Sequence, residues 1–278
     1  MKKLVAYFFS EYNFSLQTKR FRQLLYAFLT LKIIYWLCYY DLYFGANAIA
    51  YTKPHSLGFI KNWAFLLYND TETAFGYFFI IGTLLFLGLS YFLKKIPFIF
   101  EAIIWLLVIN IHNKIYPTLT GGDLLLNQFL FFNCFLAKTY TNNEDWQISL
   151  TKCFHNFGVI AIIIQIQLVY LIAGLAKLNS NDWLNGLAIA NLGYVEHFNL
   201  FSGPVFKNAV INCGIDFIVL FYQLLFPVLI WIQKIKKPLI ILGIFMHLYI
   251  SFVTGLVGFG LIMIIGYVYF WPIKKQIV

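Results

Sequence analysis

Residues 165–192 read QIQLVYLIAGLAKLNSNDWLNGLAIANL. With the apolar residues before it, the first half is long enough to cross a bilayer, which takes roughly 20 mostly apolar residues. Lys177 closes that run, a polar turn and Asp182-Trp183 follow, and residues 184–192 are too short to cross again. A lysine at the end of a span ordinarily snorkels its ammonium to the headgroups. Here its neighbours suggest more. Ala173-Gly174 one turn earlier lets a helix or a flat ligand approach the backbone, and Asn, Asp and Trp lie just beyond.

Composition fixes the class. Hydrophobic residues make up 61% of the chain and charged residues 11%, against about a quarter charged in a soluble domain. Mean hydropathy is +0.77. An all-α, polytopic transmembrane bundle is expected, with the 278 residues taken up by spans and short loops. The net charge of +9 is read as a report of orientation, because lysines gather on cytoplasmic loops, and no nucleic-acid partner is expected. Cys38, Cys134, Cys153 and Cys213 are scattered singly. That spacing suggests neither a zinc site nor a disulfide framework, and mostly small buried side chains are expected. Residues 1–20 have no long apolar core with a cleavage site, so they are read as an interfacial amphipathic N-terminus, with a helix over 3–18.

Spans are expected near 22–42, 74–93, 96–115, 123–140, 154–178, 209–232, 238–254 and 257–272. The last two come from splitting 238–272 at Thr254-Gly255, since that stretch is too long for one crossing. Eight spans is the reading and seven the fallback. With the N-terminus inside, inner segments hold Lys2, Lys3, Lys19, Arg20, Arg22, Lys94, Lys95, Lys138, Lys152, Lys234, Lys236, Lys237, Lys274 and Lys275. Outer segments hold Lys53, Lys61, Lys114, Lys177 and Lys207. The asymmetry places both termini in the cytoplasm of a multi-pass cell-membrane protein, the inner membrane in a Gram-negative cell. The long outer segments 43–73 and 179–208, and the Gly-rich 114–122, are where function is expected.

Polar residues within spans are costly, and each needs an account. Lys32 and Glu101 are expected to form a structural ion pair. Asn110 and His112 lie in the outer half of the third span, and the following loop carries Gly121-Gly122-Asp123. Asp123 caps the next helix on one reading; on the other, the glycine turn offers backbone N–H groups to a carbonyl or phenolate oxygen. Asp216 is expected to approach Lys177, with pairing to Lys207 or Asn212 as its bland alternative. Gln165 and Gln167 are read as interhelical hydrogen-bond partners. His247 is a packing residue or a donor to a quinone oxygen. His55, His155 and His197 lack metal-ligand spacing, and no metal is expected. Tyr116, Trp183, Tyr194 and Phe198 would suit a flat aromatic ligand.

The segment YLIAGLAKLNSNDWLNGLA and the GGD turn after the third span resemble the HTTM family, the transmembrane domain shared by vitamin K-dependent gamma-carboxylases and sporulation-delaying-protein-B-like bacterial proteins. Residues 21–278 are read as that domain. The resemblance implies that Lys177 matches the lysine regarded as the base toward vitamin K hydroquinone, with Asp216 and Asp123 orienting it and His247 as a donor. Menaquinol or vitamin K hydroquinone is the implied cofactor. Gly121, Gly122, Asp123, Asn110, His112, Asp182 and Trp183 are the implied quinol-binding residues. Burial favours the neutral amine, which makes a lysine base physically reasonable. The family arginine before the GGD turn is Lys114 here, which keeps the charge but loses the planar fork. The carboxylases' large extracytoplasmic domain is expected to be missing. The alternative is therefore a factor for maturation or export of a secreted peptide, acting with a soluble partner and without catalysis of its own. A transporter ranks last, because no inverted repeat is evident.

Overall fold

The computed structural model describes residues 2–9, 11–45, 48, 73–92, 98–140, 146–195 and 207–272. Every regular element among them is helical. The chain divides into two compact units, Met1–Ile160 and Ala161–Val278. Unit 1 holds α1 (Lys2–Phe9), α2 (Ser15–Cys38), α3 (Tyr40–Phe44), α4 (Thr73–Phe92), α5 (Phe98–Lys114), α6 (Gly121–Asn133) and the start of α7 (Trp146–Leu178). Unit 2 holds the rest of α7, then α8 (Asn181–Leu184), α9 (Ala188–Leu192), α10 (Ala209–Leu229), α11 (Gln233–Val253) and α12 (Val257–Gly266).

These helices bury one face and leave the other equally greasy. In α2, Phe21, Leu25, Leu29, Ile33 and Trp36 are buried at helical spacing, while Leu24, Leu31, Ile34 and Tyr35 are exposed. Phe78, Ile81 and Leu85 of α4 and Ile218, Phe221 and Val228 of α10 are exposed in the same way. An outer surface this apolar is stable in lipid and not in water. By length and composition α2, α7, α10 and α11 are each sufficient to cross a membrane, and α4 and α12 supply shorter apolar helices. The chain is a helical membrane bundle.

Helices occupy all eight segments read as spans, with shifted ends. α2 begins at Ser15 rather than near residue 22, so the expected interfacial helix 3–18 is replaced by α1, a turn at Phe14 (φ 58°) and the first turn of α2. Asn156 and His155 of α7 fasten that turn. Asn156 donates to the carbonyls of Tyr7, Phe8 and Glu11, and accepts from the Asn13 N–H at 3.0 Å. His155 Nδ1 accepts from the Ala137 N–H at 3.2 Å, which leaves Nε2 to donate to the Asn13 carbonyl at 2.7 Å. α6 ends at Asn133, short of residue 140, and α7 reaches back to Trp146, into a region read as inner loop. Residues 238–272 do break at Gly255, whose φ is +72°.

Small residues set the closest approaches in unit 2. A Cβ on Gly174 would stand 2.9 Å from Leu224, so the Ala-Gly pair brings α7 against α10. Between α8 and α9, Gly186 has φ +69° and lies against Cys213, a combination only glycine satisfies without strain. Gly243 of α11 faces the hydroxyls of Tyr222 and Tyr267, while Gly214 of α10 faces open space. Of the cysteines, Cys134 alone is buried, Cys153 and Cys213 are half-buried, and Cys38 is exposed, so burial was overestimated for the set.

Gly243→Ala should therefore destabilise the protein by about 1–3 kcal/mol through overpacking. Gly214→Ala should be neutral or stabilising by up to about 1 kcal/mol. Thermal melting in detergent checks both, and equal melting temperatures for the two variants would contradict this packing.

Candidate functional site

Charged side chains gather in two places in unit 1. At the first, the Lys32 ammonium of α2 pairs with Oδ1 of Asp123, at the start of α6. Oδ2 of Asp123 accepts from the Thr120 N–H at 2.8 Å and from the Thr120 hydroxyl at 3.0 Å. The carboxylate thus serves as helix cap and ion-pair partner at once, one oxygen for each role. Gly121 and Gly122 form the first turn of α6 rather than a preceding loop, and their N–H groups are among those a helix start leaves without an intrahelical acceptor. His112 of α5 is fully buried, with Nε2 3.8 Å from Asp123 Oδ1. Trp36 stands edge-on to that ring at 5.5 Å, and the Lys32 ammonium lies 5.3 Å from the Trp36 ring centre.

This first cluster is under-satisfied. Neither ring nitrogen of His112 has a hydrogen-bond partner among the described residues, nor do the Oδ1 atoms of Asn110, Asn113 and Asn127. Asn110 spends its Nδ2 on the Leu106 carbonyl at 2.8 Å, and the Asn127 side chain interacts with the His112 ring. Buried polar atoms nearly always find partners, so each of these is unusual.

The second cluster is fully connected. Glu101 of α5 accepts from the Tyr26 hydroxyl, from Ser90 at 2.9 Å and from Asn133 Nδ2 at 2.8 Å, and pairs with Lys138 at 2.5 Å. Arg22 donates to Asn133 Oδ1 and to the carbonyls of Leu136 and Ala137. Burial draws the Lys138 ammonium below the ordinary lysine value, while the Glu101 carboxylate acts in the opposite sense. The expected Lys32–Glu101 pair is therefore incorrect. Because α2 starts at Ser15, Lys32 lies roughly 25 Å along the axis from that end. Glu101 is in the first turn of α5. Each ion has found a nearer partner.

In unit 2 the expected constellation is dispersed. The Lys177 ammonium lies 4.6 Å from the Trp183 ring centre and has no carboxylate within ion-pair distance among the described residues. Asp216 does not hold Lys177, Lys207 or Asn212. Fully buried, its Oδ1 accepts the Ile189 N–H at 3.0 Å and so anchors α9. Asp182 is exposed in the first turn of α8. Gln167, read as an interhelical partner, leaves Nε2 without one among the described residues.

His247 is neither a simple packing residue nor open to a ligand at Nε2. That nitrogen meets the Tyr170 hydroxyl at 2.6 Å; Tyr170 meets Tyr267, Tyr267 meets Tyr222 at 3.0 Å, and Tyr222 donates to the Leu239 carbonyl at 3.1 Å. The sequence reading missed this tyrosine chain, because three tyrosines spread from 170 to 267 leave no local signal. Asn127 was missed as well, although its place one turn after Asp123 on the same face of α6 is a signal that would have found it. His55, His197 and Phe198 lie outside the described residues.

Long apolar helices around buried ion pairs define a multi-pass helical membrane protein. The HTTM domain matches residues 122–274, more than half the chain, and the protein belongs to that family. It is 26% identical over 182 residues to sporulation-delaying protein SdpB of Bacillus subtilis (strain 168), covering 58% of this chain and 54% of that protein. The chain thus spans about half the length of that curated relative. No solved structure matches it.

Lys32→Met or Asp123→Asn strands a buried charge and should cost about 3–5 kcal/mol, and the double variant should recover much of that loss. Lys32→Met combined with Glu101→Gln should be additive within about 0.5 kcal/mol. Unfolding measured across both double-mutant cycles tests the assignment, and strong Lys32–Glu101 coupling would refute it.

Proposed function

We propose that this HTTM protein carries out acid–base work on a lipid-soluble quinol at the Lys32–Asp123–His112 cluster. One observation carries the reading: a fully buried histidine whose ring nitrogens meet no partner in good hydrogen-bond geometry stands beside Asn127 and a buried Lys32–Asp123 ion pair. The Asn127 oxygen can accept from a hydroxyl or N–H donor, and either imidazole nitrogen can exchange a proton with one. A hydroquinone of the menaquinol or vitamin K class brings two hydroxyls on a flat ring, and the residues present fit it. Asn127 would accept from a hydroxyl, Trp36 would flank the ring, and the N–H groups of Gly121 and Gly122 would steady an oxygen that loses its proton. When bound, such a group supplies two electrons and two protons.

The rest belongs to the chain's own side chains. His112 is placed to hold a proton taken from a bound hydroxyl. Asp123 would stabilise the imidazolium, and Lys32 keeps Asp123 ionised and in register. Burial strengthens each of these interactions over its value in water. The acid–base role passes from Lys177, which has no acid beside it, to His112 and Asp123. Asp216 and His247 become supporting residues of unit 2. The distribution of basic residues supports a cell-membrane location with both termini cytoplasmic.

A second reading rests on the likeness to sporulation-delaying protein SdpB. Here the chain is a factor for maturation or export of a secreted peptide, working with a soluble partner, and the donor that meets the Asn127 oxygen is a peptide N–H group.

Protein in proteoliposomes, given menaquinol, separates the readings through oxygen uptake and through quinone extracted from the purified sample. On the quinol reading His112→Ala lowers turnover by about 100-fold or more, while Lys177→Ala keeps at least half. No turnover and no extractable quinone, alongside loss of a mature secreted peptide in a deletion strain, would transfer the assignment to the second reading.

A further inference from the structure

A cleft of about 710 Å³ opens in unit 1 between α2, α4 and the segment after α6. Neither the family match nor the proposed quinol site accounts for it. Its size falls within the roughly 300–1,000 Å³ typical of small-molecule sites. Lys19, Arg22 and Lys138 contribute three cations to its lining, and Ala27, Leu84 and Leu87 provide an apolar wall.

The charge is not balanced locally. Glu101 pairs with Lys138. Arg22 hydrogen-bonds only neutral acceptors, through three of the five N–H groups a guanidinium carries, so its full charge and two donors remain. Lys19 is exposed and makes no ion pair or hydrogen bond among the described residues. Gln23 apart, the other polar groups are committed elsewhere: Tyr26 and Ser90 to Glu101, Thr30 to the Tyr26 carbonyl, and Tyr140 to the Ser15 carbonyl. A net positive, partly desolvated rim therefore adjoins an apolar wall. Gly88 lines the same cleft, and a Cβ there would meet nothing within 4 Å.

We propose that this cleft binds an anionic phospholipid, its headgroup phosphate held by Lys19 and Arg22 and the start of an acyl chain laid along Leu84 and Leu87. A phosphate alone would satisfy the cations and leave the wall bare, whereas a zwitterionic lipid would bring its own cation to a site already rich in them. Arg22 suits a phosphate better than a lysine would, because its planar fork can present two parallel N–H groups. The setting agrees: the cleft lies by the N-terminal half of α2, among the residues that the charge asymmetry places on the cytoplasmic side, where anionic lipid is concentrated.

The test uses the full chain in non-ionic detergent. Short-chain phosphatidylglycerol, phosphatidylcholine of the same chain length and inorganic phosphate are titrated separately, with native mass spectrometry and thermal shift as readouts. Phosphatidylglycerol should bind at least about fivefold more tightly than phosphatidylcholine, and Lys19→Gln should remove about fivefold of that affinity. Gly88→Leu should weaken it too, by filling the wall side, and both variants should melt as the parent does without lipid. Equal binding of the two lipids overturns the proposal. So does inorganic phosphate binding as tightly as phosphatidylglycerol, or full affinity in either variant.

Discussion

A charge inside an apolar bundle must be met where it stands, because water cannot reach it and the effective cost of an unpaired ion is several kcal/mol. Unit 1 is arranged around two solutions to that constraint. Lys32 and Asp123 tie α2 to the start of α6. Glu101 joins Tyr26, Ser90, Asn133 and Lys138, and so gathers α2, α4, α5, the end of α6 and the segment beyond it. Hydrophobic contact alone would not choose among the rotations these helices have available in lipid, since their outer faces are as apolar as their inner ones. The polar contacts do choose.

The two clusters differ in completeness. Around Glu101 every partner finds another, and the tyrosine chain from His247 to the Leu239 carbonyl is closed in the same way at all but one atom, His247 Nδ1. Networks of that kind rigidify a fold and hold helices in register. Around His112 neither imidazole nitrogen meets a partner in good hydrogen-bond geometry. The ring sits next to an ion pair that already fixes its surroundings. This supports reading the cluster as a place for a ligand instead of a packing feature.

The fold was legible in the sequence because apolar runs longer than a bilayer is thick leave few alternatives. Even the split at Gly255 followed from length together with the glycines at 255, 258 and 260. The ends were not legible. The start of α2 depends on Phe14 adopting a left-handed conformation and on Asn156, some 140 positions away, collecting three carbonyls of the N-terminal turn. That shift moved Lys32 away from Glu101 and undid the expected pairing. The GGD turn and His112 were found as individual residues, and their meeting follows from consecutive helices joined by a short connection. Lys177 shows the opposite limit. Its motif was the strongest local signal in the chain, yet a motif does not say whether an acid stands beside the amine.

α2 carries Lys19, Arg22 and Tyr26 toward one end and Lys32 and Trp36 toward the other. Between the two groups lies a stretch whose buried face, Leu25, Leu29 and Ile33, is purely apolar. That face itself offers a proton or an ion no hydrogen-bonded path from one group to the other. The cationic end faces a space lined by side chains that are already committed, apart from Lys19, Gln23 and part of Arg22. The other end holds the Lys32–Asp123 pair and the His112 ring beside it. The two polar ends of α2 are thus parted by an apolar middle, one turned to a cleft and the other to a buried ion pair.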